Sequence, residues 1–105
     1  MNQDIYERLR KISERLKKEY HAEKVILYGS YAKGEETEES DIDLFIIAST
    51  SERFFERMAR VRTLVRDLCY KIPLSPIVLT TDEVKVRLER GDQFIEQIMK
   101  NGLYL

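Results

Sequence analysis

Val25-Ile26-Leu27-Tyr28-Gly29-Ser30-Tyr31-Ala32-Lys33-Gly34 runs through an acidic segment, Glu35-Glu36-Thr37-Glu38-Glu39, into Ser40-Asp41-Ile42-Asp43-Leu44-Phe45-Ile46-Ile47. The fold is decided in this stretch. Val25 to Tyr28 is a short apolar run whose β-branched and aromatic residues suit a pleated strand. Gly29-Ser30 interrupts it, Ser30 to Lys33 has the length of one helical turn, and Gly34 interrupts the chain again. Asp41 to Ile47 reads as a second strand with two aspartates at its head. On a strand, residues i and i+2 share a face, so Asp41 and Asp43 are expected side by side. Carboxylates that close repel unless a cation lies between them or one is protonated. Such a pair suits Mg²⁺, which takes few protein carboxylates and completes its shell with water and phosphate oxygens. Gly29-Ser30 complements it. A glycine admits a bulky anion to the backbone, and the N–H groups opening the next turn can receive phosphate oxygens.

Strand, Gly-Ser, ten residues, Asp-x-Asp and strand is a pattern that resembles the nucleotidyltransferase superfamily to which DNA polymerase β belongs. Gly29, Ser30, Ala32, Gly34, Ser40, Asp41, Asp43 and Leu44 match its small branch, the minimal nucleotidyltransferases encoded beside HEPN-domain proteins. The resemblance implies the nucleotidyltransferase fold and Mg²⁺-dependent transfer of a nucleoside monophosphate, AMP from ATP first among them. It implies catalytic, metal-holding Asp41 and Asp43, with Gly29, Ser30 and Lys33 on the nucleoside triphosphate. It also implies a HEPN-domain toxin as acceptor, and hence an antitoxin; the alternative is an inactive nucleotide-binding antitoxin that neutralises its partner by occlusion. The family pattern has a third carboxylate on a later strand. Aligned on Ile77-Val78-Leu79, that place falls at Ser75 or Pro76.

Outward from the central stretch, Ile5, Leu9, Ile12, Leu16 and Tyr20 recur at helical spacing and predict an amphipathic helix over about 4–20. Beyond the second strand, Thr50 or Ser51 is the expected N-cap of a long helix over about 52–70. Its apolar face is read as Phe54, Phe55, Met58, Val61, Leu64, Val65, Leu68 and Cys69. The opposite face, with Arg53, Arg57, Arg60, Arg62 and Arg66, is read as solvated helix surface, with docking of an acidic partner as the alternative. Ile77 to Leu79 predicts a third strand, entered through Pro73 and Pro76. Thr80 and Glu83 stand at capping-box spacing, and Gly91 ends the helix they begin. Asp92 caps a last helix that Gly102 is expected to terminate in the left-handed conformation. Leu103-Tyr104-Leu105 is then an apolar tail, expected to pack on the domain or on a second copy in a homodimer.

The expected class is α/β (α+β): a small mixed sheet flanked by helices, one domain over residues 1–105. A net charge of −1, with 35% of residues charged, disfavours nucleic acid as a partner. One cysteine allows no internal disulfide, and no apolar run approaches a membrane span. A cytoplasmic protein without a membrane partner is expected. The lone His21 has no second histidine or nearby cysteine for a zinc site.

Overall fold

Four strands form one sheet in the order β3-β2-β1-β4, with β1 antiparallel to both β2 and β4, and β2 parallel to β3. A computed structural model describes residues 1–105. Along the chain come α1 (Gln3–Glu19), β1 (Ala22–Tyr28), α2 (Ser30–Lys33), β2 (Ile42–Ala48) and α3 (Phe54–Leu64). There follow a 3₁₀ turn (Arg66–Leu68), β3 (Leu74–Leu79), α4 (Thr81–Glu89), α5 (Gln93–Asn101) and β4 (Leu103–Tyr104). A mixed sheet flanked by helices is the class expected from the sequence.

Strand alternation divides the core between the two faces of the sheet. On one, Val25, Leu27, Ile42, Leu44, Ile46 and Val78 meet α1 and α3 through Leu9, Ile12, Leu16 and Val61. On the other, Ile26, Phe45, Ile47 and Leu79 pack with Val84, Ile95 and Ile98 from α4 and α5. Both central strands are therefore apolar on both sides, which makes their sequences read as continuous apolar runs. No helix is long and apolar enough to cross a membrane.

Several expectations are corrected. The long helix stops at Leu64, because Val65 leaves helical geometry (φ −119°, ψ 16°) and a 3₁₀ turn follows. The terminal carbonyl of Leu64 accepts a hydrogen bond from Arg15 of α1 at 3.0 Å, and Arg15 also pairs with Asp67. A 3₁₀ turn keeps roughly the same apolar spacing as an α-helix, so the break leaves no mark on the pattern. At the other end α3 begins at Phe54, after Arg53, rather than at a Thr50 or Ser51 cap; Thr50 instead accepts from the Glu52 N–H within the loop. Phe54 and Phe55 then fall in the first turn, outside both buried cores, and Phe55 is 80% exposed. They pack edge to face on each other instead of in the core.

Arg57, read as polar surface, is buried. Its guanidinium donates to the carbonyls of Glu52 (2.8 Å) and Val78 (3.2 Å) and pairs with Glu83 at 2.6 Å. That same Glu83 closes the capping box of α4 by accepting from the Thr80 N–H. Gly102 is extended (φ −69°, ψ 161°) rather than left-handed. It is glycine for space: a Cβ there would run into Ile26 and the Ile98 carbonyl. The close approach lets Leu103 and Tyr104 pair with Leu27 and Ile26, so the apolar tail becomes the strand β4.

Candidate functional site

The site lies at one end of the sheet, where β1 ends and β2 begins. Tyr28 pairs with Asp43 across the antiparallel ladder, and Asp43 pairs with Ser75 across the parallel one. A row three strands wide results, with Asp43 in the middle. Gly29 follows Tyr28 directly and bends the chain at φ +76°, a conformation open to glycine at little cost. A Cβ on Gly29 would collide with the Asp43 carboxylate, so the glycine backbone and the acid are in direct proximity. Ser30 then opens α2, and the Lys33 N–H bonds back to the Gly29 carbonyl at 3.2 Å. Gly34, left-handed at φ +72°, ends the turn and receives the chain into the acidic loop.

Asp41 is delivered by a small polar turn. Ser40 Oγ accepts from the Thr37 N–H at 2.8 Å, and the Ile42 N–H joins the Pro73 carbonyl at 2.8 Å, starting the parallel ladder. Asp41 is exposed and Asp43 half-buried. Burial, and then the neighbouring charge of Asp41, push the Asp43 carboxyl above its usual range. Beside it the Tyr28 hydroxyl is pushed up to about 12, first by burial and then by the negative charge of Asp43. The Tyr28 ring packs edge to face on Phe94 at 5.6 Å.

Thus Gly29 meets Asp43, Asp41 stands close enough to Asp43 for their charges to interact, Ser30 follows Gly29 at the head of α2, and Lys33 projects exposed from its far end. Of the two places open for a third acid, the register selects one. Ser75 shares the face of Asp43, whereas Pro76 alternates onto the opposite, buried face. Pro76 is tolerated because β3 is an edge strand. No group of three or more potential metal-ligating side chains exists in the chain. The donor set nevertheless fits one hard cation of the Mg²⁺ type: two adjacent like-charged carboxylates, one of them disfavoured in its charged form, with room left for oxygens from another source.

Two cavities flank the row. One, of about 460 Å³, touches Tyr28, Gly29 and Lys33 and reaches Phe94, Gln97 and Asn101 of α5. The other, of about 450 Å³, is reached from Asp41 and Ser75 and is walled by Arg62, Arg66, Cys69 and Ile72. Neither was legible as a cavity, since α5 and the 3₁₀ turn reach the site only by folding back on it. The one prior signal for the second was the i, i+4 spacing of Arg62 and Arg66.

A strand–Gly-Ser turn–Asp-x-Asp strand arrangement on such a sheet defines the class. The family described as polymerase beta, nucleotidyltransferase, matches residues 10–105, and the chain belongs to it. Relatives in Methanocaldococcus jannaschii carry the description "Putative protein adenylyltransferase". One is 51% identical over 43 residues, 41% of this chain and 43% of the relative. A second is 39% identical over 57 residues, 53% of this chain and 58% of the relative. A third is 46% identical over 43 residues, 41% and 44% of the two chains. The matched stretches thus span 43% to 58% of the length of these relatives.

Proposed function

We propose that this nucleotidyltransferase transfers AMP from ATP to a hydroxyl of a partner protein, a HEPN-domain toxin that it restrains as an antitoxin. The observation that carries the reading is the close approach of Gly29 to Asp43, a backbone break suited to an anion beside one acid of the Asp-x-Asp pair. The description carried by the relatives supports a protein acceptor. Gly29 and Ser30 would hold the β- and γ-phosphates, with Lys33 adding charge at that end. Asp41 and Asp43 would hold Mg²⁺. Bound there, the cation supplies Lewis-acid stabilisation of charge on the phosphoryl oxygens. The acceptor oxygen bonds to the α-phosphorus as the bond to the β-phosphate oxygen breaks. Pyrophosphate leaves with that electron pair, and the hydroxyl proton passes to solvent.

A second reading is favoured by one observation, Ser75 in register with Asp43 where the family pattern has an acid. In it the protein binds nucleotide and neutralises its partner by occlusion alone. Incubation with α-labelled ATP, Mg²⁺ and the protein encoded beside it separates the two. The first requires label on the neighbour, abolished by Asp41→Ala with Asp43→Ala. Restraint of the neighbour that survives both substitutions, with no label transferred, establishes the second.

A further inference from the structure

The cleft beyond Ser75 carries positive charge that the fold does not use. Arg62 and Arg66 are both exposed, one on α3 and one on the 3₁₀ turn, and neither takes part in an ion pair. The Arg62 Nε–H donates to the Leu74 carbonyl at 3.2 Å, which fixes that side chain against the start of β3. No hydrogen bond ties down the Arg66 guanidinium. Other arginines of the chain divide between the two states: Arg15 meets Asp67, Arg57 meets Glu83 and Arg60 meets Glu52, while Arg10, Arg53 and Arg90 meet no acid. Arg62 and Arg66, without acid partners, stand on a wall shared with Asp41 and Ser75.

Their position matters for in-line transfer. The attacking and leaving oxygens lie on opposite sides of the phosphorus, so an acceptor must approach from the side away from pyrophosphate. On the reading above, pyrophosphate leaves over Gly29 and Lys33, on the β1 side of Asp43. The acceptor side is then β3, where this cleft opens. Resting on that reading, we infer that the Arg62–Arg66 cleft is the acceptor subsite, and that it selects a hydroxyl flanked by acidic residues of a protein segment. A protein is favoured over a nucleic acid. Two arginines are too few for a phosphate track.

Fluorescein-labelled Glu–Tyr copolymer, Lys–Tyr copolymer and a short oligoadenylate serve as probes, with anisotropy as the readout. The Glu–Tyr copolymer is expected to bind and the Lys–Tyr copolymer not to. Arg66→Glu should weaken Glu–Tyr binding roughly tenfold or more, and Arg66→Lys should keep most of it. Affinity for a fluorescent ATP analogue should stay constant in both variants, which excludes misfolding. Equal binding of the two copolymers, indifference to Arg66→Glu, or tighter Arg66-dependent binding of oligoadenylate would overturn the inference. α-Labelled ATP with Mg²⁺ then tests the reading beneath it. Arg66-dependent copolymer binding without label transfer retains the docking surface and removes AMP transfer.

Discussion

Gly29 bears two constraints at once, and each alone would select glycine. Its φ of +76° strains any side chain, and its open Cα face lies against the Asp43 carboxylate. Gly29→Ala is therefore expected to cost about 1–3 kcal/mol of stability and to push Asp43 out of place. Urea unfolding and titration with a fluorescent ATP analogue would check this; unchanged nucleotide affinity would contradict the proximity. Asp43 shows the opposite economy. Half-buried beside Asp41, its charge is uncomfortable in the cation-free protein. Asp43→Asn should raise the midpoint of thermal unfolding of that form while abolishing Mg²⁺-dependent nucleotide binding. A fall in the midpoint of thermal unfolding without Mg²⁺ would refute it.

At the scale of elements, two joints hold the site's frame together. The first is Arg57 of α3, which ties the Val78 carbonyl of β3 to Glu83 at the head of α4. The hydrogen bond from Arg57 holds the Glu83 carboxyl below its ordinary value of 4.5. A depressed acid contributes stability above the unfolded pKa and loses it as pH falls through the folded one. Stability should therefore decline as pH drops below about 4.5. Glu83→Gln should flatten that decline and cost roughly 1–3 kcal/mol at neutral pH, since Arg57 stays buried with only carbonyl acceptors. Urea midpoints measured across pH would reveal parallel curves if the joint were inert. The second joint is Gly102, where β4 meets β1. Gly102→Ala should cost about 1–3 kcal/mol through overpacking against Ile26 and the Ile98 carbonyl. It should also release the Leu105 amide, now bonded to the Val25 carbonyl at 2.8 Å, to fast hydrogen exchange. Persistent protection of that amide would show that β4 tolerates the methyl group.

Over the whole molecule, one sheet serves two cores. Phe45 and Ile46 are neighbours on β2 and both fully buried, yet they belong to opposite faces. If the chain folds as one domain, Phe45→Ala and Ile46→Ala should each cost about 2–5 kcal/mol and shift the same single transition. Far-UV circular dichroism and tyrosine fluorescence should then report coincident midpoints. Separated midpoints would mean that the faces unfold independently. The Cα radius of gyration, 13.2 Å, is that of one packed unit of about this length.

What the amino-acid order determined alone is what depends on near neighbours. Two-residue spacing put Asp41, just ahead of β2, near Asp43 within it, Gly29 and Gly34 punctuated the chain, and the caps at Thr80 and Asp92 needed only three residues each. The tertiary structure decided whatever depends on partners distant in sequence. Arg57 was indistinguishable from Arg62 until Val78 and Glu83 closed around it, and the end of α3 was set by Arg15, almost fifty residues earlier. Ser75 rather than Pro76 met Asp43 because parallel register is a property of two strands and is written in neither one. Periodicity reports which face a residue takes, and only packing settles what that face meets.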